Sequence, residues 1–214
     1  MKFSSSGIRG RMAEDEMMSQ HTTWKIGGPA DLLFEPADLD DLGAFLKQLP
    51  EDIPLHWIGN GSNLLVRDGG IRGAVIKTST TVSAIERTST QTVTAEAGAT
   101  VMSLVKMVLE DELTGLEFLA GIPGTVGGAL WMNAGAFDDE IWNHVKQVEL
   151  INREGERGWF DPVLFTPSYR NVETPHPGWY SRVELSLEQG DVPAARKQVE
   201  SIIERRADRQ PLQW

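Results

Sequence analysis

The sequence predicts a globular α+β protein, and two observations support this class. Amphipathic helical segments and short strand-like apolar runs both occur along the 214 residues, without an internal repeat or a low-complexity tract. Hydrophobic residues make up 40% and charged residues 24% of the chain, as in ordinary folded domains with a buried core. We therefore expect helices packed on sheets, in one domain or two small ones.

Three helices are predicted from apolar periodicity. Leucines recur on one face of Leu39–Leu49, and acidic residues open this segment. Val101–Leu109 follows the i, i+3, i+4, i+7 pattern of a helix packed on a sheet, with Thr100 as its N-cap. A last helix is predicted over Asp191–Ile203, with an early proline in its first turn.

Strands are predicted where short apolar or β-branched runs are bounded by turn residues. These runs are Leu55–Ile58, Leu64–Val66, Ala74–Lys77, Gln91–Ala95, Val148–Ile151 and Val183–Leu187. A turn between strands is predicted at Arg153–Gly155. The pattern changes near Ser79–Ser83, which we interpret as the boundary between two lobes.

Charge and composition argue against several classes of function. With 31 acidic and 20 basic residues, the net charge is -11, so nucleic acid and anionic membrane surfaces are not expected as partners. The chain has no cysteine, which excludes disulfides and thiolate chemistry. The four histidines lie without ligand spacing, so no metal site is predicted. The N-terminal region lacks a signal-peptide core, and we expect a cytoplasmic protein.

The uncharged stretch Phe118–Phe137 is long enough to span a bilayer, but its composition argues against that function. Its glycines, together with Pro123 and Asn133, make it weakly apolar and a poor continuous helix. Another explanation is needed for so much glycine in one place.

The first motif that could bind a ligand is Gly59–Leu65 (GNGSNLL), which directly follows a predicted strand. Glycines let the backbone approach a ligand, so successive N–H groups can form an anion-binding concavity, with Ser62 and Asn63 as further donors. A diphosphate suits such a loop. The alternative is an ordinary tight turn in a β-hairpin.

The second motif is Gly121–Gly128 (GIPGTVGG), which leads into Asn133–Ala136 (NAGA). A backbone without side chains at several positions makes a floor for a flat apolar ring system, and nearby N–H groups can bind the polar edge of the ring. The alternative is close helix packing through small residues.

Two further motifs complete an ordered set: HTTWKIGGPA at His21–Ala30 and SYRN at Ser168–Asn171. With the two glycine-rich motifs, from about residue 10 onward, the chain resembles the UDP-N-acetylenolpyruvoylglucosamine reductase family. The resemblance implies an FAD-binding fold of the vanillyl-alcohol-oxidase (PCMH) type, with residues 1–80 and 81–214 as two lobes around an extended FAD. It also implies that NADPH reduces the flavin, which then reduces the enolpyruvyl group of a UDP-sugar in peptidoglycan synthesis.

The same resemblance implies the site residues. The cofactor-binding residues are Gly59, Asn60, Gly61, Ser62, Asn63, Leu64, Gly121, Ile122, Pro123, Gly124, Thr125, Gly127, Gly128, Asn133, Ala134 and Gly135. Tyr169 and Arg170 match a pair that binds substrate, and Arg170 is the implied catalytic residue. Its guanidinium can bind the enolpyruvyl carboxylate and stabilise charge that develops there.

Members of this family continue beyond the position of Trp214 into a substrate-binding domain that carries a catalytic serine and a glutamate. We therefore expect the chain to lack that domain and to turn over weakly alone, unless a separate polypeptide supplies it. Two alternatives remain open: a flavin oxidase of the same fold, and a non-catalytic module that binds FAD or a partner protein.

Overall fold

The computed structural model describes residues 6–79 and 81–209 and contains two main β-sheets. The first sheet comprises β1 (Arg11–Met17), β2 (Pro29–Glu35), β3 (Leu55–Ile58) and β4 (Ile71–Lys77). Its strand order is β1-β2-β4-β3; β1 is antiparallel to β2, whereas β2, β4 and β3 are parallel. The carboxyl ends of β3 and β4 therefore lie at the same edge of the sheet.

The second sheet is antiparallel throughout. Its strands are β5 (Ile85–Arg87), β6 (Thr92–Glu96), β9 (Val145–Ile151), β10 (Arg157–Phe160) and β13 (Trp179–Ser186), in the order β10-β9-β13-β6-β5. Two small hairpins accompany it, formed by β7 (Gly135–Ala136) with β8 (Asp139–Glu140) and by β11 (Thr166–Ser168) with β12 (Asn171–Glu173).

The helices are α1 (Leu39–Gln48), α2 (Val101–Glu110), α3 (Val126–Trp131) and α4 (Val192–Arg209). Single 3₁₀ turns occur at Met18–Gln20, Glu117–Leu119, Ile141–His144 and Pro162–Leu164. Leu42, Phe45 and Leu46 of α1 pack on the first sheet, and α2, α3 and α4 share the larger core of the second sheet. The α+β class is thereby confirmed.

The three predicted helices are confirmed, and each begins where a side chain caps it. The Asp38 carboxylate accepts a hydrogen bond from Asp41 N, and Thr100 Oγ1 accepts one from Ser103 N at 3.0 Å. Ala194 N donates to Asp191 Oδ1 at 3.0 Å at the start of α4. The turn at Arg153–Gly155 and the predicted strands other than Leu64–Val66 are also found, with boundaries shifted by a few residues.

The predicted strand at Leu64–Val66 is wrong, because this segment has no regular structure. Val66 is buried in a small core below the first sheet, while Leu65 is 67% exposed. The backbone here bonds to another loop, since Gly28 N donates to Arg67 O at 3.0 Å. The apolar run thus anchors a loop to the core and does not pair in a sheet.

The hairpin interpretation of the Gly59–Asn63 loop is also wrong, because β3 and β4 run parallel. A parallel pair cannot be joined by a tight turn, so the chain must return to the start of β4. The loop therefore begins a crossover connection at the carboxyl edge of the first sheet.

The two sheets meet along a packed interface. The Trp57 and Trp179 rings stack with centroids 5.0 Å apart, and Ile151 of β9 joins the core beneath α1. Arg157 forms an ion pair with Asp40 at 2.6 Å. The predicted lobe boundary between residues 80 and 81 falls between β4 and β5, and the division into lobes stays a prediction.

The glycine-rich stretch Phe118–Phe137 is divided between part of a 3₁₀ turn, a loop, the short helix α3 and the strand β7. Across residues 6–79 and 81–209, no helix combines the length and the apolar character needed to cross a membrane.

Candidate functional site

The Gly59–Asn63 loop is held on one side by the Thr125 side chain and on the other by backbone, and neither side leaves room for a side chain on the glycines. A Cβ atom on Gly59 would collide with the Thr125 hydroxyl, and one on Gly61 would collide with the carbonyl oxygen of His21. Gly61 also has φ +63°, and its carbonyl accepts a hydrogen bond from Thr23 N at 3.1 Å. Glycine is required here for both reasons.

The Gly121–Thr125 loop is fastened to the segment that precedes α2. Val101 N donates to Gly124 O at 3.1 Å, and Val126 N donates to Ala99 O at 2.8 Å. Gly124 has φ +123°, a conformation that other residues rarely adopt. The loop is therefore fixed to the backbone at the start of α2, which packs on the second sheet.

The two glycine-rich loops contact each other, although about 60 residues separate them. Ser62 Oγ donates to Pro123 O at 3.4 Å, and Gly59 abuts Thr125. Ser79 Oγ adds a hydrogen bond to Gly59 O at 3.3 Å. The structure thus brings the two predicted motifs into one site at the junction of the two sheets.

The glycines of the second motif fall into two groups. Gly127 is packed, because its N–H donates to Ala97 O at 2.8 Å and an added Cβ would lie 2.9 Å from Ala97 Cβ. A Cβ on Gly128 would meet only Thr125 Oγ1, at 3.6 Å, and one on Gly124 only Ser62 Oγ, at 3.1 Å. Gly128 therefore has room beside its bare backbone, whereas Gly124 stands close to Ser62 and close packing accounts for Gly127.

Asn133 follows α3 and is 94% buried, since only 6% of its surface is exposed. Its Nδ2 donates to Ser168 O at 3.4 Å, but its Oδ1 is buried without a hydrogen-bond partner. Buried polar atoms are nearly always paired, so this oxygen has capacity for a further donor. The neighbouring Ala134 is half-buried and Gly135 lies in β7.

Tyr169 and Arg170 form the two-residue turn between β11 and β12. Tyr169 is 90% exposed, and Arg170 is exposed with φ +56°. The hydrogen bond between Asn133 and Ser168 ties the base of this hairpin to the end of α3. The predicted catalytic and substrate-binding pair is therefore linked to the second glycine-rich motif.

Within the first motif, Asn60 and Asn63 are exposed and Leu64 is partly buried against the small core. In the second, Ile122 packs on the main core and Pro123 is exposed. These positions leave the amide side chains of the first loop accessible from outside.

The structure adds a segment that the sequence had not assigned to the site. The loop from Met18 to Gly28 lies against Gly61 through His21 and Thr23. No local pattern marks this contact, because it joins positions 40 residues apart. The only available sign was the position of the segment in the first of the four ordered motifs.

A compact charge cluster lies next to this added segment. Hydrogen bonds from His21, and then from Arg11, hold the pKa of the Glu16 carboxyl below its ordinary value. Burial alone would raise the pKa of Glu35, but Arg11 and Lys77 together keep it below its ordinary value. Both carboxylates are therefore ionised and paired near neutral pH. In the part of the chain that the structure describes, no group of three or more His, Asp or Glu could hold a metal ion.

Comparison with known proteins agrees with this geometry. An FAD binding domain family model matches residues 30–160. The architecture also superposes on 6-hydroxy-D-nicotine oxidase from Arthrobacter nicotinovorans, with TM-score 0.63 at 15% identity, which supports the fold alone. The fold and site therefore define an FAD-binding domain of the vanillyl-alcohol-oxidase type, as expected.

Proteins of similar sequence identify one family within this class. The UDP-N-acetylenolpyruvoylglucosamine reductase of Methylococcus capsulatus is 46% identical over 203 residues, covering 95% of this chain and 67% of the relative. That of Nitrosococcus oceani is 45% identical over 210 residues, covering 98% and 70%. The crystal structure of the Thermus caldophilus reductase matches with TM-score 0.79 and 28% identity, covering 95% and 71%. The chain belongs to the UDP-N-acetylenolpyruvoylglucosamine reductase family and spans about two thirds of these relatives' length.

FAD is a chemical fit for the residues present. The bare backbone at Gly128 can accept a flat ring, and the Asn133 Oδ1 can accept a hydrogen bond from a polar ring edge. The accessible loop at Gly59–Asn63 offers backbone N–H groups for a diphosphate.

Proposed function

We propose that the chain acts in the FAD-dependent reduction of UDP-N-acetylenolpyruvoylglucosamine to UDP-N-acetylmuramate, with NADPH as the reductant. The observation that carries the proposal is the convergence of the two glycine-rich loops at the junction of the sheets. Bound FAD would supply hydride-transfer chemistry between nicotinamide and substrate. The protein's own residues would bind and orient the cofactor and the substrate, and stabilise the charge that develops on the substrate.

The Gly59–Asn63 loop is proposed to hold the FAD diphosphate. Its glycines let the loop pack closely against Thr125 and His21, and Ser62 and Asn63 add polar side chains beside the N–H groups. Leu64, partly buried, anchors the loop to the core beneath the first sheet. A loop anchored in this way loses little conformational entropy when it binds an anion.

The remaining cofactor-binding residues are proposed to hold the flavin ring. Gly128 supplies its floor, and Asn133 supplies an acceptor from the end of α3. Thr125 caps α3 through Gly128 N, which keeps this floor rigid. Gly127 serves indirectly, because its close contact with Ala97 sets the position of α3.

Arg170 is proposed to act on the substrate, assisted by Tyr169. A guanidinium at the tip of the β11–β12 turn can bind the enolpyruvyl carboxylate through two parallel hydrogen bonds. When hydride adds to the adjacent double bond, negative charge develops on the carboxylate side, and a fixed cation there stabilises the transition state. The Asn133–Ser168 hydrogen bond would keep this cation in register with the flavin floor.

The proposed reaction belongs to peptidoglycan precursor synthesis in the cytoplasm, and thereby to cell shape and division. A UDP-sugar is the expected partner of the site, and nucleic acid and membrane are not. In the relatives, about a third of the length lies outside the matched region. We propose that residues equivalent to that third, on this or a separate polypeptide, complete the substrate site.

The test is the visible absorption spectrum of the purified chain after mixing with FAD and removal of free flavin. Retained flavin bands are the expected result, and anaerobic NADPH should then bleach them, whereas NADH should act more slowly. Loss of all flavin on gel filtration contradicts the proposal. Fast reoxidation of the reduced flavin by oxygen would favour a flavin oxidase instead.

A further inference from the structure

The loop from Met18 to Gly28 is closed on itself and pressed against the Gly59–Asn63 loop. Met18 N donates to Gly28 O at 3.1 Å, and the Thr22 hydroxyl donates to Ile26 O at 2.9 Å. At its tip, Thr23 N donates to Gly61 O at 3.1 Å. We call residues 18–28 the bracing loop, because they contact and support Gly59–Asn63, which we call the diphosphate loop.

Two side chains connect the bracing loop to the body of the first sheet: Met18 is fully buried in the small core beneath the sheet, and His21 bonds to residues of β1 and β4. The His21 ring is 8% exposed and lies between Glu16 and Lys77. Its Nε2 lies 3.0 Å from Glu16 Oε1, and its Nδ1 lies 3.2 Å from Lys77 Nζ. An ammonium group can only donate, so Nδ1 accepts and Nε2 carries the hydrogen that is donated to Glu16.

The partners of His21 are themselves fixed. Lys77 is the last residue of β4 and forms an ion pair with Glu35 at 3.2 Å. Arg11 bridges the two carboxylates, at 3.0 Å from Glu16 and 2.8 Å from Glu35. Because Lys77 is paired with Ile58 across the parallel strands, this network lies at the sheet edge where the diphosphate loop begins.

We propose that His21 is a positioning residue for the FAD diphosphate. Its ring ties the bracing loop to Lys77 and Glu16, and its own carbonyl oxygen closely abuts Gly61. When these hydrogen bonds are present, Gly61 has one position relative to the end of β3. Without them, the bracing loop can withdraw, and the N–H groups around Gly61 lose the arrangement that binds an anion.

The inference rests on the proposed FAD function and is tested by comparing two ligands. Riboflavin carries the flavin ring but neither the diphosphate nor the adenosine of FAD, so the ratio of its Kd to that of FAD reports on the part of the site beyond the ring, which includes the diphosphate loop. Both constants are measured by fluorescence titration of the full chain. His21→Leu should reduce this ratio about tenfold or more, the value of a hydrogen bond to a charged group, while riboflavin binding stays unchanged.

Two variants serve as controls. In His21→Asn the amide oxygen can still accept from Lys77, so the ratio should stay within about threefold of wild type. His56→Leu changes a histidine of the same sheet that contacts Arg72 O at the opposite end of β4, and the ratio should not move. Circular dichroism confirms folding, and where His21→Leu does not fold, Lys77→Met removes the same hydrogen bond and should give the same loss.

The outcomes separate this inference from the proposed function. A His21→Leu or Lys77→Met chain that keeps the wild-type ratio overturns the positioning role and leaves the FAD site standing. A wild-type chain that binds FAD no more tightly than riboflavin contradicts the diphosphate site itself, and the inference falls with it.

Discussion

Gly128 and Gly127 are neighbours in α3, and the same substitution at each should have opposite consequences. A Cβ on Gly128 meets only Thr125 Oγ1 at 3.6 Å and Gly128 is exposed, so we expect the side chain of Gly128→Leu to be accommodated in the flavin-free protein. Replacing a helical glycine by leucine stabilises a helix by about 0.8 kcal/mol. The melting temperature of the flavin-free chain should therefore rise by about 2–3 °C.

The same leucine would occupy the open space in which the flavin ring is proposed to lie. Overpacking costs about 1–3 kcal/mol, and the ring also loses contact with the backbone, so FAD affinity should fall about a hundredfold. Fluorescence titration with FAD and thermal melting of the flavin-free protein measure the two effects. A Gly128→Leu chain that binds FAD as tightly as wild type would refute the flavin-floor interpretation.

Gly127→Leu is the matched control. Its Cβ would lie 2.9 Å from Ala97 Cβ, closer than side-chain carbons approach, so α3 must move away from the second sheet. We expect a loss of stability of about 3 kcal/mol. A melting temperature equal to that of wild type would show that Gly127 is not packed as described.

Three further predictions follow from other parts of the structure. Arg170→Lys keeps the positive charge but loses the two parallel hydrogen bonds to the carboxylate, so the enolpyruvyl substrate should bind about tenfold more weakly while FAD affinity is unchanged. Substrate binding is followed by titration through the spectrum of the bound flavin. A substrate affinity equal to that of wild type would contradict the assigned role. Thr100→Ala removes the cap that accepts from Ser103 N, and urea unfolding should show a loss of about 1 kcal/mol, whereas no loss would mean that the cap is not formed in solution. Burial alone would raise the pKa of Glu149, but hydrogen bonds from Arg182 and Ser181 hold this pKa below the ordinary 4.5. The stability that the ionised carboxylate contributes is therefore fully present above pH 4.5 and is lost as the pH falls through the lower pKa of the folded state. In Glu149→Gln, the free energy of unfolding should fall less steeply with decreasing pH on the acid side. A slope identical to that of wild type would show that Glu149 does not contribute to the loss of stability in acid.

Helices were predictable because their information is local. The periodicity of Leu39–Leu49 and Val101–Leu109, together with Thr100 as a cap, describes each helix within a dozen residues. Strand pairing was less accessible, since the exposure of β1 alternates irregularly and its partners are set by other segments. The failed strand at Leu64–Val66 shows the same limit, because an apolar run buries itself equally well in a loop.

Much of the candidate site was visible in the sequence as motifs, but its arrangement was not. The glycines of Gly59–Asn63 and Gly121–Gly128 indicated close backbone approach, and the order of the motifs indicated the family. The contact between Ser62 and Pro123 could not be foreseen, because it depends on how two sheets dock. The roles of Gly127 and Gly128 could not be separated either, since only the direction of each Cβ distinguishes packed from open space.

The sequence by itself therefore determined the fold class, the glycine-rich loops and their chemical capacity for a dinucleotide. Only the tertiary structure decided which loops touch, which glycines are closely packed, and that His21 reaches Lys77 over 56 positions of the chain. The physical reason is that propensity, capping and periodicity act within one or two turns of the chain, whereas a binding site is built from contacts that form after distant segments have packed.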